Sequence, residues 1–235
     1  MLRPFLQAHW SHLCVISYAV PPDLLTPHLP RGLRLDTRDG HAFVSLVAFD
    51  FENTRVKGIA WPFYRDFPEV NLRFYVTNAA GERGVCFIRE FVPKRLVSWI
   101  ARKVYNEPYE RIEMKSDVHR KGDGLEVVHR FKHHERWQEI ALATTKEAPL
   151  LPPDDSLESF LIDQQWGFGR DPIGRPLRYR VVHPRWLLYH VEWAEVKVNW
   201  GKTYGPQWKF LDHEKPVSKI LAEGSEVSVF PASAA

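Results

Sequence analysis

Residues 64–76 read YRDFPEVNLRFYV, and the alternation within this stretch decides the fold class. The even-numbered positions from 70 to 76 are apolar, whereas the odd-numbered positions carry an acid, an amide and a base at Glu69, Asn71 and Arg73. Because successive side chains of a strand point to opposite faces, the pattern predicts a strand with one apolar and one polar face. The polar face either meets water or lies inside the protein, where its groups must satisfy each other or a ligand.

Alternating patterns of the same kind recur along most of the chain. They predict roughly nine or ten strands in a mostly antiparallel arrangement. Gly, Pro, Asp or Asn ends most of these segments, which are HLCVISYAV, HAFVSLVAFDF, VNLRFYV, GVCFIREFV, LEVVHRFKH, EIALATT, LRYRVVH, LYHVEWAEVKVNW and GSEVSVF.

Helical patterns are few. The first segment, PPDLLTPHLP (21–30), allows a helix of about two turns. The second, PKRLVSWIARKVY (93–105), has an apolar stripe at helical spacing. The third, DDSLESFLIDQQ (154–165), contains a helix whose N-terminus is capped by Asp155 or Ser156. Many strands and few helices predict a mainly β (α+β) fold, an antiparallel closed β-barrel with flanking helices, in which closure removes exposed edges. We expect residues 1–235 to form a single domain of this kind.

Composition narrows the classes of partner. Thirty-two Lys and Arg against 29 Asp and Glu give a net charge of +3, spread along the chain, so no nucleic-acid partner is expected. No apolar run approaches the ~20 residues that span a bilayer, and the N-terminus lacks a signal-peptide core, so no membrane partner is expected. Cys14 and Cys86 lie in apolar strand patterns, which favours a reduced, cytoplasmic protein. A homo-oligomer stays compatible with the sequence.

The order of the segments resembles the YqjF-like family of bacterial proteins, within the acetoacetate decarboxylase-like superfamily. The resemblance rests on HLCVISYAVPPDLLTPHLPRGLRLDTRDGHAFVSLVAFDF, RDFPEVNLRFYV, GVCFIREFVPKRLVSWIARKVYNEPY, HPRWLLY and GSEVSV. It implies a cone-like antiparallel β-barrel with a central cavity. It also implies a site in which the decarboxylases use a lysine that forms a Schiff base with a β-keto acid, assisted by a glutamate and an arginine.

Carried over position by position, the resemblance places the glutamate on Glu69. The lysine pair falls on Tyr109 and Glu110 in NEPYER, and the N-terminal arginine falls around Ser11. Without a lysine amine there is no imine to take up the electrons left by decarboxylation, so Schiff-base chemistry is not expected. Lys115 is the nearest lysine in sequence that could replace it, if its side chain points inward.

Another departure follows the helix that begins near Ser156. Members of the family tend to have Thr-Glu-Arg-Tyr there, whereas this chain reads Asp163, Gln164, Gln165 and Trp166. If these positions touch the ligand, the ligand or its orientation differs here.

The candidate site is therefore built around the opening strand. Glu69 and Arg73 are the predicted catalytic residues, and the aromatic-rich loop before the strand predicts an aromatic lip with a cation near the entrance. No metal or cofactor is expected, because His129, His133 and His134 lack a metal-binding spacing and no phosphate loop or dinucleotide fingerprint occurs. The predicted substrate-binding residues are Asn71, Tyr109, Arg65, His12, Trp10 and Trp61.

Three functions fit this site. The first is a lyase or isomerase that acts on a small apolar or aromatic carbonyl compound, with Glu69 as general acid and base and Arg73 stabilising an enolate or carboxylate. The second is a protein that binds or sequesters a hydrophobic small molecule without turnover. The third is a scaffold with a filled barrel and a buried ion pair. In each case Glu69 and Arg73 are expected to hold each other ionised and to have strongly coupled pKa values.

Overall fold

The computed structural model describes residues 3–94 and 108–235, and of Lys121 only the backbone. The helix predicted over 93–105 therefore lies almost wholly outside the described residues. The described part is mainly β with few and short helices, so this part of the predicted fold class is confirmed. The strands are β1 Leu6–Val20, β2 Arg34–Leu35, β3 Ala42–Val56, β4 Phe67–Thr77, β5 Arg83–Val92, β6 Tyr109–Arg111, β7 Glu113–Lys121, β8 Gly124–His133, β9 Arg136–Thr144, β10 Trp166–Arg170, β11 Pro176–Val182, β12 Leu188–Tyr189, β13 Val191–Lys197, β14 Ser218–Val229 and β15 Ser233–Ala234.

The larger sheet has 11 strands and follows the order β12-β14-β1-β3-β4-β5-β10-β11-β15, with β2 added to β4 and β6 added to β5. A further pairing joins β11 to β14, so the strands from β14 to β11 close into a hydrogen-bonded ring. Most pairings are antiparallel, as predicted, but the sheet is mixed, because β5 pairs in parallel with both β10 and β6. These pairings join segments far apart in sequence, and the alternation within a strand carries no information on the direction of its neighbour.

The smaller sheet has four strands in the order β13-β9-β8-β7 and packs against the ring. Val70, Leu72 and Phe74 of β4 share one hydrophobic cluster with side chains of the smaller sheet and of the short helices. Within this cluster the ring of Phe91 in β5 stacks on Phe131 in β8, with centroids 5.5 Å apart. Since the apolar face of β4 is used here, its polar face points to the other side of the sheet.

Helices are short within the described ranges, and each has a local cause. They are α1 Pro22–Leu25, α2 Leu157–Ile162 and α3 Trp200–Tyr204, with 3-10 turns at Thr26–His28 and Pro206–Asp212. Ser156 caps α2, since its hydroxyl accepts the backbone N–H of Ser159 at 3.1 Å. A continuous strand over 188–200 was predicted, but β13 ends at Lys197 and the side chain of Asn199 caps α3 by accepting the N–H of Lys202.

Both cysteines, Cys14 and Cys86, are buried free thiols. No helix in the part of the chain that the structure describes is long and apolar enough to cross a membrane.

Candidate functional site

A cavity of about 150 Å³ lies on the polar side of β4. Its wall is largely apolar and rich in aromatic rings, which come from β1, β3, β4, β5, β10, β11 and the connections next to them. The aromatic lining residues include Trp10, Phe49, Phe51, Trp61, Tyr64, Phe67, Phe87, Trp166, Tyr179 and Trp186. Trp10 packs against several of these rings, and its ring centroid lies 4.8 Å from that of Phe49 and 6.2 Å from that of Trp186.

A row of polar side chains crosses this aromatic wall. Glu69, Asn71 and Arg73 line the cavity from the odd-numbered positions of β4, and Tyr109 joins them from β6. The Tyr109 hydroxyl donates to Glu69 Oε2 at 2.8 Å, and Asn71 Nδ2 donates to Glu69 Oε1 at 3.0 Å. The structure thus brings together four of the predicted site residues. Their catalytic and binding roles stay predictions.

Glu69 is only 3% exposed, and its surroundings change its ionisation. Burial raises the pKa of its carboxyl from 4.5 to about 7, although hydrogen bonds from Asn71 and Tyr109 and the charge of Arg73 oppose the shift. The charge of Arg73 favours the ionised form of Glu69, as expected, but desolvation has the larger effect, so Arg73 does not keep the carboxyl fully ionised at neutral pH. A carboxyl with a pKa near 7 both donates and accepts protons at neutral pH.

Tyr109 remains a hydrogen-bond donor at this site. Burial, followed by the negative charges of Glu69 and Glu90, raises the pKa of its phenol well above 10. The hydroxyl therefore keeps its proton at neutral pH and directs it at Glu69.

Arg73 brings a positive charge to the cavity wall. Its Nη2 donates to the carbonyl oxygen of Leu161 at 3.0 Å, and its guanidinium lies 5.8 Å from the ring centroid of Tyr75. Among the described residues it forms no ion pair within 4 Å, and its buried Nε has no hydrogen-bond partner. A half-buried guanidinium on the cavity wall is placed to stabilise negative charge on a molecule in the cavity.

Other lining atoms share this lack of partners among the described residues. They are Trp10 Nε1, Thr54 Oγ1, Asn71 Oδ1 and Gln164 Oε1, all of them buried. Buried polar groups are normally hydrogen-bonded, so the concentration of such atoms around one cavity indicates a place for polar groups of a guest molecule or for ordered water.

Sequence reasoning missed several lining residues. Glu90 is 1% exposed and lies in register with Asn71 on one side and Tyr109 on the other. Its place in the alternating segment GVCFIREFV could have indicated which face of β5 it occupies. However, β5 has a register shift where it pairs with Leu72 and Arg73, and residues beyond the shift point to the opposite face from the one that the alternation predicts.

His183 also lines the cavity, and its ring stacks on that of Trp186 with centroids 4.0 Å apart. Burial lowers the pKa of His183, so its imidazole tends to be neutral.

Two predicted binding residues lie elsewhere. His12 does not line the cavity; its Nδ1 lies 3.1 Å from Asp50 Oδ2, and its backbone φ of 53° marks a bulge in β1. The bulge sends this side chain to the other face, although its neighbour Trp10 does line the cavity. Arg65 is exposed and donates to Asn53 Oδ1 at 2.6 Å, outside the lining.

Lys115 is also away from the cavity. It is an exposed residue of the smaller sheet, and its Nζ lies 5.0 Å from the ring centroid of Trp137. Within residues 3–94 and 108–235 no group of three or more His, Cys, Asp or Glu side chains is placed to hold a metal ion. In the segment that departs from the family pattern, Gln164 and Trp166 line the cavity.

Comparison with known sequences identifies the family. The family model DUF2071, described as an uncharacterized conserved protein, matches residues 7–226. The chain is also 31% identical over 192 residues to the uncharacterized protein YqjF of Bacillus subtilis (strain 168), a match that covers 81% of this chain and 77% of that protein. The predicted resemblance to the YqjF-like family is confirmed.

Comparison with solved structures identifies the fold. Acetoacetate decarboxylase from Legionella pneumophila matches with a TM-score of 0.66 and 14% identity over 100% of this chain and 88% of that chain. An acetoacetate decarboxylase-like enzyme from Sphingomonas wittichii RW1 matches with a TM-score of 0.67 and 15% identity over 100% and 94%. The enduracididine biosynthesis enzyme MppR with bound HEPES buffer gives 0.68 and 13% over 99% and 88%.

At these identities the structural likeness shows the fold alone. The family model, in contrast, spans nearly the whole chain. The chain therefore belongs to the DUF2071 family, and its fold is similar to that of acetoacetate decarboxylase.

Proposed function

We propose that this protein binds a small, largely apolar or aromatic carbonyl compound in the cavity and that Glu69 transfers a proton from one atom of this compound to another. The observation that carries the proposal is the Glu69 carboxyl, which is buried on the cavity wall, held by Tyr109 and Asn71, and has a pKa raised to about 7. A pKa near the working pH is what general acid and base catalysis requires. The ring of strands would then serve as a barrel around one ligand.

Size and lining support this class of ligand. A cavity of about 150 Å³ accommodates a single aromatic ring. Aromatic walls favour an apolar body, while the few polar atoms gathered at Glu69, Asn71 and Arg73 suit one oxygen-bearing end of the molecule.

The reaction would proceed through an enolate. The carboxylate of Glu69 removes a proton from the carbon next to the carbonyl, and the electron pair of the broken C–H bond moves to the carbonyl oxygen. The guanidinium of Arg73 stabilises the negative charge that develops there. Return of the proton from Glu69 to a different atom of the enolate gives an isomerised product, and no oxidant or reductant is needed.

Proton transfer is a better fit than Schiff-base chemistry. Tyr109 stands where the resemblance places the lysine, and no lysine lines the cavity within residues 3–94 and 108–235. Lys115 is exposed on the smaller sheet. An imine therefore has no amine donor among these residues.

Deuterium exchange tests the proposal. A panel of small aromatic and aliphatic ketones is incubated with the protein in D2O, and exchange of the protons next to the carbonyl is followed by NMR. We expect exchange with wild type and its loss in Glu69→Gln, which keeps the shape of the side chain and retains ligand binding. Glu214→Gln, a change at an exposed carboxylate outside this cavity, is the matched control and keeps wild-type exchange.

Absence of exchange across the panel, together with binding that is equal in wild type and Glu69→Gln, would contradict the catalytic role. That result would favour the second candidate, a binder without turnover. This candidate is supported by the unpartnered atoms of Trp10, Asn71 and Gln164, which can hold polar groups of a ligand without any proton transfer. If no compound binds, both candidates fail.

A further inference from the structure

The loop between β3 and β4, residues 57–66, exposes large apolar side chains. Ile59 is 57% exposed, Trp61 48% and Phe63 88%, all within five consecutive residues. Such a concentration is unusual on a water-exposed surface and marks a site of interaction.

The loop is held in this conformation by hydrogen bonds. Val56 and Ile59 exchange both backbone bonds at 3.0 Å around a tight turn, and the N–H of Tyr64 bonds to the carbonyl of Trp61 at 3.2 Å. Phe63 has a φ of +67°, a conformation that non-glycine residues rarely adopt. The local structure therefore holds the Phe63 ring outward at a conformational cost, which indicates that the exposure has a use.

The charge around these apolar side chains is positive. Arg55, Lys57 and Arg65 are exposed cations at the base of the loop, against one acid, Asp66. The Asp66 carboxylate is occupied in accepting the backbone N–H of Asn53 at 2.8 Å. An apolar tip with cations at its base fits the interface of an anionic bilayer, where aromatic rings lie among the headgroups and Lys and Arg meet the negative surface.

The same charge disfavours a second copy of the chain as the occupant. A twofold contact would bring this patch against itself, and the three cations would face the three cations of the other copy. An anionic lipid surface neutralises them instead.

The loop also forms part of the wall of the candidate cavity. Trp61 and Tyr64 line the cavity directly, as does Val56 at the end of β3. A surface that meets the loop therefore lies next to the cavity.

In contrast to the expectation from the sequence that there is no membrane partner, we propose that the loop of residues 57–66 docks this protein on an anionic lipid surface, so that an apolar ligand passes between bilayer and cavity without crossing bulk water. The docking stands on the loop alone, whereas the transfer of a ligand rests on the proposed function. The lipid surface is thus the source or destination of the cavity's ligand.

Vesicle co-sedimentation tests the docking. Vesicles of phosphatidylcholine mixed with an equal part of phosphatidylglycerol are compared with vesicles of phosphatidylcholine alone, at low and high salt. We expect binding to the anionic vesicles that weakens with salt and is much lower on neutral vesicles.

Loop variants locate the contact. Phe63→Asn suits the positive φ and removes the ring, and we expect it to weaken vesicle binding by about tenfold or more. Lys57→Glu is expected to weaken it by about fivefold or more. Ile173→Ser, at a residue 75% exposed in another turn, and Lys215→Glu are the matched controls and leave binding unchanged.

Three results would overturn the docking: no binding to anionic vesicles, binding that the loop variants do not weaken, or self-association in solution that Phe63→Asn abolishes. Ligand binding in solution separates this inference from the proposed function. If Phe63→Asn keeps wild-type ligand affinity but wild type fails to bind vesicles, only the docking is wrong. If vesicles bind and the cavity takes no ligand, the proposed function is wrong and the docking stands.

Discussion

Replacement of Glu69 by glutamine should change how stability depends on pH. The pKa of this carboxyl is about 7 in the folded protein against 4.5 for an ordinary glutamate, so the folded state holds the proton more tightly than the unfolded chain. Between these pH values the folded protein carries one more proton at this site. Its free energy of unfolding therefore falls as pH rises, by a total of about 3 kcal/mol for this group.

Glu69→Gln removes this dependence, because an amide does not titrate. Below the unfolded pKa the protonated acid and the amide are similar, and the two proteins should have similar stability apart from a constant offset. As pH rises through 7, wild type should lose up to about 3 kcal/mol relative to the variant. At pH 8, in the absence of a ligand, the difference in stability between the two proteins should have moved by about 3 kcal/mol in favour of the variant from its value at pH 4.5.

Urea unfolding followed by tryptophan fluorescence measures this difference at several pH values from 4.5 to 8. Burial lowers the pKa values of other groups such as His129 and His183, but their contribution to the pH dependence cancels in the difference between the two proteins. Glu214→Gln, at an exposed carboxylate, provides the control and should follow wild type. Parallel curves for wild type and Glu69→Gln would contradict a raised pKa, because they would mean that Glu69 ionises normally in the folded protein.

Further predictions follow from the same neighbourhood and from the contacts beyond it. Tyr109→Phe removes a hydrogen bond that lowers the pKa of Glu69, so this pKa should rise in the variant. Carboxyl NMR would measure the rise, and an unchanged titration would contradict the contact between Tyr109 and Glu69. Gly167→Ala should lower the free energy of unfolding, measured with urea, by about 1–3 kcal/mol and should weaken ligand binding, because a Cβ at this position would lie 2.2 Å from the Tyr179 ring. Wild-type values for both quantities would contradict this close packing. Burial lowers the pKa of His129 below 6.5, so the unfolded chain binds a proton at this residue more readily than the folded protein. The free energy of unfolding should therefore fall as pH drops below 6.5. His129→Gln should show a smaller fall, and an equal fall would mean that another group is responsible.

The alternation of the opening strand carried most of what the sequence could tell about the site. It separated Glu69, Asn71 and Arg73 from the apolar face of β4, and the structure places these two sets on opposite sides of the sheet. The resemblance contributed Tyr109, which no local pattern connects to Glu69. That contact depends on the parallel pairing of β6 with β5, which brings together residues distant in sequence.

The failures at His12 and Glu90 have a common physical origin. His12 follows Trp10 by two residues, yet only Trp10 lines the cavity, because the bulge at His12 interrupts the alternation of β1. The same applies to Glu90, because a register shift in β5 interrupts the alternation of faces along that strand. The pKa of Glu69 was misjudged because the sequence shows the nearby charge of Arg73 but does not show the degree of burial, which is the larger effect.

The proton-transfer role of Glu69 is tested most directly by a carboxyl NMR titration of Glu69 in the folded protein, with the signal assigned by its absence in Glu69→Gln. We expect a midpoint at about 7, with a shift on addition of a ketone that binds in the cavity. A midpoint near the ordinary value of 4.5, unaffected by any ligand, would contradict the claim that Glu69 is the proton-transfer group of this site.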